Sequence, residues 1–289
     1  MELSSKTRLC GLIGDPVEHS ISPKMLNAAF KAADLNFVYV AMNVKKRELA
    51  SAIKGMRALN IHGLNVTIPH KVNVVKYLNH IDVDARAIGA VNTILNVNGE
   101  LRGFNTDGIG AATAIEESGT SLEGKSAVLI GSGGAARAIA FTFSNKVDNL
   151  TILNRHTDKA GKLAAELTRK KMKRVYSGGL QRERLRQALS DAQIMVNATS
   201  VGMFPNKDTS ILEGVLLRPD LVVFDIVYNP LETRLLREAA KVGAKTVNGV
   251  GMLVHQGAEA FKIWTGKEAP VEIMRKVAME ELSRLNGRA

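Results

Sequence analysis

A glycine-rich segment is the first feature of this sequence whose residue types and spacing could do chemistry. Residues 131–136 read Gly-Ser-Gly-Gly-Ala-Ala and follow directly on Ser126–Ile130, an apolar run typical of a buried strand. Glycines permit a tight turn and let the backbone approach a pyrophosphate at the N-terminus of the next helix. The spacing departs from the usual three-glycine pattern, and a purely structural turn is the alternative. The position between a strand and a helix favours a dinucleotide site.

The residues after the next apolar run indicate which dinucleotide would bind. A site for NAD usually has an Asp or Glu at this position, which binds the ribose 2′-hydroxyl. Here the segment is Asn154-Arg155-His156-Thr157-Asp158-Lys159. Arg155 can bind a 2′-phosphate through two N–H groups, and Lys159 adds a positive charge one helical turn later. Asp158 would repel the phosphate unless it caps the helix. The sequence therefore favours NADP.

Two further pairs of polar residues suit a ligand that carries a carboxylate or hydroxyl groups. Ser20 and Ser22 precede Pro23, which marks the start of a helix, and the N-terminus of a helix favours an anion. Capping is the structural alternative, and we expect Ser22 to be the N-cap in either case. Asn65 and Thr67 lie two apart on a predicted strand, so their side chains share a face. A purely structural strand would more often have Val or Ile there.

The elements that must position these residues alternate between strand and helix, which predicts a layered α/β protein. Asn98-Gly99 predicts a tight hairpin. Helices are expected from Ser22, around residues 49–59 (with Leu49, Ile53, Met56 and Leu59 on the buried face), after Val247 through Trp264, and from Pro270 onward. The predicted strands are Leu9–Ile13, Phe37–Val44, Ile61–Ile68, Thr93–Val97, Glu100–Phe104, Ser126–Ile130, Leu150–Leu153, Ile194–Asn197 and Leu221–Ile226. The series from residue 126 suggests a doubly wound nucleotide-binding sheet, with a domain boundary near residue 107.

Composition excludes several classes of protein. The 289 residues fit two domains, and 45% hydrophobic with 23% charged residues is a normal globular composition. No apolar stretch approaches the roughly 18 residues that cross a bilayer, and the polar N-terminus lacks a secretory signal pattern. A single cysteine, Cys10, excludes a disulfide framework and a multi-cysteine zinc site, and the histidine spacing predicts no metal site. A cytoplasmic enzyme is expected.

The net charge of +11 is concentrated in one segment. Its basic residues are Arg169, Lys170, Lys171, Lys173, Arg174, Arg182, Arg184 and Arg186, with Glu183 as the one acid and Tyr176 as the one aromatic residue. A nucleic-acid surface and a solvated helix end with a loop are the two interpretations, and the lack of aromatic residues favours the second. A positive field would also attract anionic substrates and cofactors.

Seven segments, which follow one another between residues 11 and about 266, resemble motifs of the shikimate dehydrogenases. They are Gly14–Pro23, Asn65–Lys71, Gly89–Thr93, Asn105–Gly108, Asn197–Met203, Asp225–Tyr228 and Gly249–Gln256. The resemblance implies an NADP-dependent oxidoreductase that interconverts 3-dehydroshikimate and shikimate by hydride transfer, in the shikimate pathway of aromatic amino-acid biosynthesis. It departs from the family pattern at Leu26, where a His is common, at Ser132, where an Ala is common, and at His156, where a Thr is common.

The same resemblance implies a domain arrangement and a set of site residues. Residues 1–106 with 249–289 would form an α/β substrate domain, residues 107–248 a Rossmann-like NADP domain, with the active site in the cleft between them and a homodimer as a possible assembly. Lys71 and Asp107 would be the catalytic pair, and both would also contact the substrate. The other substrate residues would be Ser20 and Ser22 for the carboxylate and Asn65, Thr67, Asn92, Tyr228 and Gln256 for the carboxylate or ring hydroxyls. The NADP residues would be Gly131, Ser132, Gly133, Gly134, Ala135, Asn154, Arg155, His156, Thr157, Asp158, Lys159, Ile226 and Gly249.

Several alternatives remain open at this point. A quinate/shikimate dehydrogenase would accept quinate and could use NAD, although the absence of an acid at Asn154 argues against NAD. A non-catalytic NADP- or shikimate-binding regulator could dispense with Lys71 or Asp107, and this chain has both. His19 and His70 are rival proton donors, while His255 adjoins the Gln of the family motif. We therefore predict an enzyme of the shikimate pathway that binds no metal ion, no nucleic acid and no membrane.

Overall fold

The computed structural model describes residues 3–169, 174–212 and 217–286. The chain divides into two compact units, the first formed by Met1–Asp107 with Val254–Ala289 and the second by Gly108–Leu253. The predicted division differs at Asp107 and at residues 249–253. The reason is that both boundaries fall within helices, Asp107–Glu117 and Gly249–Thr265, whereas the prediction placed them at the ends of elements.

Strands and helices alternate along both units, so the predicted α/β class is confirmed. The strands are β1 (Arg8–Gly14), β2 (Phe37–Asn43), β3 (Gly63–Val66), β4 (His80–Ile81), β5 (Thr93–Val97), β6 (Glu100–Phe104), β7 (Ser126–Ile130), β8 (Asn149–Leu153), β9 (Val175–Gly178), β10 (Ile194–Asn197), β11 (Val222–Asp225) and β12 (Lys245–Val247). The α-helices are α1 (Ser22–Ala32), α2 (Leu49–Ala58), α3 (Val83–Ile88), α4 (Asp107–Glu117), α5 (Gly134–Ser144), α6 (Thr157–Arg169), α7 (Arg182–Ser190), α8 (Arg234–Lys241), α9 (Gly249–Thr265) and α10 (Val271–Asn286).

The sheet of the first unit is mixed, and its topology brings several loops to one edge. Its strand order is β2-β1-β3-β5-β6-β4, with β1 parallel to β2 and β3, and with β5 antiparallel to both of its neighbours. The register pairs Asn65 with Thr93, and Thr93 with Phe104. The carboxyl ends of β1, β3 and β6 and the amino end of β5 therefore lie at the same edge of the sheet. The residues that follow or precede these ends can meet there.

Helices α1 and α9 pack against this sheet through aromatic side chains. Phe30 of α1 lies 5.0 Å from Phe37 and 5.3 Å from Phe261 between ring centroids. The indole of Trp264 lies directly over Gly63, where a Cβ atom would come within 2.3 Å of the indole nitrogen, so only glycine fits at that position. The predicted buried face of α2 is correct at three positions and wrong at Leu59, which is 75% exposed because α2 ends at Ala58.

The second unit has a parallel sheet with the order β12-β11-β10-β7-β8-β9. Counted from β7, this is the strand order of a doubly wound dinucleotide-binding fold, and the order reverses between β7 and β10. The predicted Rossmann-like sheet is therefore confirmed. Ligands of such folds bind outside the carboxyl ends of the strands beside that reversal. Buried apolar residues such as Leu129, Phe143, Ile152 and Phe224 form the core on one face of the sheet.

The prediction omitted the two edge strands of this sheet. β9 lies within the basic segment that was interpreted as a helix end and a loop, and it is only partly buried. Its Val-Tyr-Ser-Gly sequence has no apolar alternation, which explains the omission. Arg174 precedes β9 and α7 carries Arg182, Arg184 and Arg186, while Lys170, Lys171 and Lys173 lie outside the described residues.

No helix within the described ranges is both long enough and apolar enough to cross a membrane.

Candidate active site

An ion pair between Lys71 and Asp107 lies at the edge of the first sheet where the loops meet. Lys71 follows β3 after a turn, and Asp107 follows β6 and begins α4. The Lys71 Nζ atom lies 2.5 Å from Asp107 Oδ2, and the two side chains are only 15% and 4% exposed. An amine and a carboxylate fixed at this distance can bind a hydroxyl group and transfer its proton. The structure thus brings together the two residues that the sequence predicts as the catalytic pair.

Backbone hydrogen bonds fix the loop that carries Lys71. The backbone N–H of Val91 donates to the carbonyl of Lys71 at 2.8 Å, and the N–H of His70 donates to the carbonyl of Thr67 at 2.8 Å. Thr67 therefore lies in a turn, not on the strand predicted over Ile61–Ile68, because β3 ends at Val66. The N–H of Thr67 still donates to the carbonyl of Ile13 at 2.9 Å, which continues the pairing of β3 with β1, so the common face of Asn65 and Thr67 stays a prediction.

The ring of His70 has a structural role, since it connects two loops, and it is poorly suited to proton transfer. It is fully buried, and its Nε2 atom lies 2.7 Å from the backbone carbonyl of Val44. A carbonyl oxygen only accepts hydrogen bonds, so Nε2 carries the proton. The other ring nitrogen, Nδ1, is buried and has no hydrogen-bond partner among the described residues. His70 links the loops after β2 and β3, which leaves His19 as the rival to Lys71.

The second oxygen of the Asp107 carboxylate is bound by an amide. Asn92 Nδ2 donates to Asp107 Oδ1 at 2.9 Å and to Thr106 Oγ1 at 2.9 Å. Asn65 Nδ2 donates to the backbone carbonyl of Asn92 at 3.2 Å and to Thr93 Oγ1 at 3.1 Å. All four N–H groups of these two buried amides are therefore bonded within the protein. Asn65 and Asn92, both expected to contact substrate, have mainly protein partners here.

The start of α1 differs from the prediction in one detail. The N-cap is Ile21, and Ser22 is the first helical residue, so the expected capping role of Ser22 is wrong. The reason is that the backbone of Ile21 already has helical dihedral angles. The hydroxyl of Ser20 accepts a hydrogen bond from the N–H of Ser22 at 3.3 Å. A helix whose N-cap side chain forms no capping bond leaves N–H groups that can bind a carboxylate.

Gln256 completes the predicted substrate residues of the first unit. It lies on α9, and its backbone carbonyl accepts a hydrogen bond from Thr106 Oγ1 at 3.0 Å. Thr106 precedes Asp107, so this bond fixes the position of Gln256 relative to the ion pair. Three residues with no predicted role also contribute hydroxyl groups near the site. They are Thr93 and Thr106, which accept from the amides of Asn65 and Asn92, and Tyr39, whose hydroxyl donates to Asn65 Oδ1 at 2.8 Å. Their signal in the sequence was weak, because it consists of polar side chains within apolar strand patterns or beside motif residues.

The glycine-rich loop of the second unit has the shape that a pyrophosphate requires. Gly131 has φ +121°, and a Cβ atom there would lie 2.8 Å from the carbonyl oxygen of Ala198, so glycine is needed. Gly133 is the N-cap of α5 and forms no side-chain cap. Apart from Gly133, its chain neighbours and the adjoining backbone, no described atom lies within 4 Å of the point where its Cβ would be. Open space thus lies in front of the N-terminus of an 11-residue helix, and Gly134 and Ala135 form its first turn.

A hydrogen bond joins this loop to the predicted 2′-phosphate segment. Asn154 Nδ2 donates to Ser132 Oγ at 3.0 Å and to the carbonyl of His156 at 3.1 Å. The exposed residues of the segment are Arg155, His156, Thr157, Asp158 and Lys159. Helix α6 begins at Thr157, so Asp158 lies in its first turn, where the helix dipole favours a negative charge. The residues present therefore fit an NADP phosphate bound by Arg155 and Lys159.

The loop after β11 contains the remaining predicted residues. Gly249 lies against Ile226 so closely that a Cβ atom would come within 2.2 Å of the Ile226 carbonyl oxygen, which gives Gly249 a packing role as well. Tyr228, two residues further along than Ile226, belongs to this unit, and burial raises the pKa of its hydroxyl. The eight other predicted substrate residues belong to the first unit.

Asp225, to which the sequence assigned no role, organises this loop. Its carboxylate accepts hydrogen bonds from Thr233 Oγ1 at 2.7 Å, from Asn197 Nδ2 at 3.0 Å and from the N–H of Val227 at 3.1 Å. Burial raises the pKa of Asp225 to about 6, although these hydrogen bonds act in the opposite direction. One buried carboxylate thus connects the ends of β10 and β11. Within the described part of the chain, no group of three or more His, Cys, Asp or Glu side chains could hold a metal ion.

Comparison with known proteins gives a consistent result along the chain. Residues 12–94 match the family described as the shikimate dehydrogenase substrate binding domain, residues 113–229 match shikimate / quinate 5-dehydrogenase, and residues 249–279 match the shikimate 5′-dehydrogenase C-terminal domain. A shikimate dehydrogenase (NADP(+)) from Methanocaldococcus jannaschii is 50% identical over 98% of this chain and 100% of the relative.

Solved structures agree with that similarity. A crystal structure of a shikimate dehydrogenase in complex with NADP+ is 49% identical, covers 97% of this chain and 98% of the other, and has a TM-score of 0.92. A shikimate 5-dehydrogenase from Listeria monocytogenes, in complex with shikimate and NAD, is 40% identical, covers 96% of this chain and 98% of the other, and has a TM-score of 0.89.

Proposed function

The chain belongs to the shikimate dehydrogenase family, and we propose that Lys71 and Asp107 form its proton-transfer pair. It is an NADP-dependent oxidoreductase that interconverts 3-dehydroshikimate and shikimate. The predicted family, activity and cofactor are confirmed by its relatives. The observation that supports the role of the pair is the separation of 2.5 Å between Lys71 Nζ and Asp107 Oδ2, with both side chains largely buried.

Oxidation of a secondary alcohol removes a hydride from carbon and a proton from oxygen. NADP, when bound, accepts or supplies the hydride. The amine of Lys71 accepts the proton during oxidation, and its ammonium form returns the proton to the ketone oxygen during reduction. Asp107 binds the Lys71 amine through Oδ2 and thereby orients it, and the same carboxylate binds a substrate hydroxyl.

The carboxylate of the substrate needs a different kind of partner. We assign it to Ser20, Ser22 and the N-terminus of α1, where hydroxyl groups and backbone N–H groups are available. Thr67 and Gln256 bind ring hydroxyls or the carboxylate. Asn65 contributes through the remaining lone pair of its amide oxygen, since its N–H groups are bonded elsewhere. Both lone pairs of the Asn92 amide oxygen already accept from Thr93 Oγ1 and from the N–H of Thr106, so we assign Asn92 an indirect contribution through Asp107.

The cofactor site is assigned to the second unit. Residues Gly131–Ala135 bind the pyrophosphate at the N-terminus of α5, and Asn154–Lys159 bind the adenosine 2′-phosphate, with Arg155 as the main contact. Ile226 and Gly249 form the remainder of the site. Ser132 and His156, which depart from the family pattern, are part of this assignment because Asn154 bonds to both residues.

Quinate is the second candidate substrate. The family that matches residues 113–229 is described as shikimate / quinate 5-dehydrogenase, so the match in that region does not separate the two substrates. The decisive experiment supplies shikimate or quinate together with NADP+ or NAD+ and follows reduced cofactor by its absorbance. We expect the highest kcat/KM with shikimate and NADP+. A higher value with quinate would replace the substrate assignment, and no turnover in any combination would favour a regulatory role.

A cytoplasmic location, a homodimer and a lack of nucleic-acid binding are part of the proposal. The location and the lack of nucleic-acid binding are supported by the composition of the chain and by its relationship to metabolic enzymes. The homodimer is taken from the family resemblance. Cell fractionation tests the location, light scattering tests the mass of the assembly, and titration with labelled duplex DNA at low salt tests the last point. Tight DNA binding that weakens steeply with salt would contradict it.

A further inference from the structure

We propose that Thr93 is a positioning residue, which orients the amide of Asn92 so that this amide donates to the Asp107 carboxylate. The inference rests on the proposed role of Lys71 and Asp107 in proton transfer. Thr93 begins β5 and is completely buried. A buried strand position usually carries Val or Ile, so a hydroxyl group at this position requires an explanation.

Thr93 lies in the middle of a chain of hydrogen bonds that we call the amide network. Its members are Tyr39, Asn65, Thr93, Asn92, Thr106 and Asp107, all of them buried. The Tyr39 hydroxyl bonds to Asn65 Oδ1 at 2.8 Å, and Asn65 Nδ2 donates to Thr93 Oγ1 at 3.1 Å. Thr93 Oγ1 donates to Asn92 Oδ1 at 3.0 Å, and Asn92 Nδ2 donates to Asp107 Oδ1 at 2.9 Å. The network therefore runs from β2 across β3 and β5 to the ion pair.

Two backbone groups determine the direction of these bonds. The carbonyl of Asn92 can only accept, so Asn65 must turn its Nδ2 toward it, at 3.2 Å. The N–H of Thr106 can only donate, so Asn92 must turn its Oδ1 toward it, at 2.9 Å. Thr93 Oγ1 accepts from the first amide, and its one hydrogen is then directed to the second amide. The Thr93 hydroxyl therefore accepts from the amide of Asn65 and donates to the amide of Asn92, each in the orientation that the backbone groups favour.

The orientation of Asn92 matters because of its neighbour Asp107. In the observed orientation, Asn92 presents an N–H group to Oδ1 of the carboxylate, while Lys71 binds Oδ2. In the opposite orientation, the amide oxygen would face the carboxylate, and the two would repel each other. Without the Thr93 hydroxyl, Asn92 Oδ1 loses one of its donors and Asn65 Nδ2 loses one of its acceptors. Because Thr93 has no exposed surface, bulk water does not replace either bond.

The test compares two variants at Thr93 with a matched control. Thr93→Val keeps the shape and removes the hydroxyl, whereas Thr93→Ser keeps the hydroxyl and removes a methyl group. Thr265→Val is the control, since the Thr265 hydroxyl belongs to the same unit but donates to the carbonyl of Phe261 at 2.8 Å. If Thr93→Val does not accumulate as folded protein, Thr93→Cys replaces it, because a thiol is only a weak donor and Cys, like Ser, lacks the methyl group of Thr.

We expect Thr93→Val to lower kcat for shikimate oxidation roughly tenfold, as for the loss of a hydrogen bond to a buried polar group. Thr93→Ser and Thr265→Val should stay within about twofold of wild type. The affinity for NADP+, measured by titration, should be unchanged in all variants. If Thr93→Cys is used instead, its kcat should fall several-fold below that of Thr93→Ser. A purely structural role would lower the melting temperature of Thr93→Val and leave its kcat unchanged, and that result would overturn the inference.

Three further outcomes show whether this inference or the proton-transfer assignment on which it rests is wrong. If Thr93→Ser loses as much activity as Thr93→Val, the hydroxyl is not responsible, and the inference is wrong. If Lys71→Ala is nearly inactive while Thr93→Val is fully active, only the inference fails. If Lys71→Ala turns over at a wild-type rate, the proton-transfer assignment itself fails.

Discussion

The substrate side of the first unit and the cofactor side of the second unit are built in different ways. At the edge of the first sheet, Asp107, Asn65 and Asn92 are buried and Lys71 is 15% exposed, and each of them is already hydrogen-bonded to another protein side chain. In the second unit, the glycine-rich loop offers backbone N–H groups and space, and Arg155 with its neighbours is exposed. The first region fixes reacting groups before ligand arrives. The second presents charges that the ligand would neutralise.

This difference predicts how substitutions will act. Removing a group from the fixed region should lower turnover, because its neighbours lose a partner that determines their geometry. Removing an exposed charge should lower affinity for the ligand that it contacts and leave the rest of the protein unchanged. The following predictions test this contrast, beginning with the largest effect.

Replacement of Lys71 by Ala should lower kcat at least about a hundredfold, since general acid–base groups contribute about 10²–10⁴-fold. The affinity for shikimate should change much less, as measured by titration with the purified protein. Asp107→Ala should lower both turnover and affinity, and the double variant should lose far less than the product of the two effects. Lys54→Ala, on the exposed side of α2, is the control. Near-normal turnover of Lys71→Ala would make His19 the next candidate.

Replacement of Asp225 by Asn should change the pH dependence of stability. Burial raises the pKa of Asp225 from 3.8 to about 6, so the folded state binds this proton more tightly than the unfolded state. The contribution of Asp225 to stability is therefore greatest below about pH 4, decreases as the pH rises to about 6, and is constant above that. The total decrease is roughly 3 kcal/mol, since one pKa unit corresponds to about 1.36 kcal/mol.

Denaturant unfolding of wild type and Asp225→Asn at a series of pH values measures this difference. An amide in place of the carboxyl group cannot ionise, and Thr233 can reverse its hydroxyl to accept from it. Relative to wild type, the variant should therefore gain stability as the pH rises from about 4 to about 6. A difference between the two proteins that is the same at every pH would contradict the prediction.

Replacement of Arg155 by Ala should lower kcat/KM with NADP+ about ten- to a hundredfold, because hydrogen bonds to charged groups contribute roughly 1.5–3 kcal/mol. The value with NAD+, which has no 2′-phosphate, should barely change. Arg186→Ala, an exposed arginine of the same unit, is the control for a general loss of positive charge. Equal losses with both cofactors would mean that Arg155 does not bind the phosphate.

Replacement of Ser20 by Ala should have the smallest effect of the four. The loss of one partly buried hydroxyl at the start of α1 should weaken shikimate binding about fivefold, corresponding to roughly 1 kcal/mol. Gln256→Ala should also weaken shikimate binding. NADP+ affinity should stay near normal in both variants and in the control Ser51→Ala, on α2. If NADP+ binding fell as much as shikimate binding, the assignment of these residues to the substrate would be wrong.

The elements that were predictable from the sequence are those with strong local signals. Asn98-Gly99 gives the hairpin between β5 and β6 because both residues adopt positive φ, +53° and +87°. The glycine-rich loop after β7 is similarly determined by local chemistry. The edge strands β9 and β12 are short and polar, so periodicity does not distinguish them from loops. The start of α1 was misplaced by one residue because Ser22 resembles an N-cap in residue type, whereas the backbone of Ile21 before it already has helical dihedral angles.

The identities of the residues at the site could be predicted from the sequence, but their distances and orientations could not. Lys71 and Asp107 were nominated through motifs, and their separation depends on which strand ends share an edge of the sheet. The amide network depends on the antiparallel register that pairs Asn65 with Thr93. Register is a property of the folded sheet, since it results from the pairing of strands distant in the sequence. The contributions of Tyr39, Thr93 and Thr106 could therefore be identified only once the strands were paired.

The indole of Trp264, which packs over Gly63, has a consequence for spectroscopy. Trp264 is the single tryptophan of the chain, it is only 3% exposed, and its Nε1 atom donates to the carbonyl of Ile94 at 3.0 Å. Its fluorescence emission therefore reports on the first unit alone, whereas far-ultraviolet circular dichroism reports on helices and strands of both units. Unfolding curves recorded with the two signals coincide if both units unfold together, and they separate if one unit unfolds before the other. The chain thus contains its own probe for the independence of its two halves.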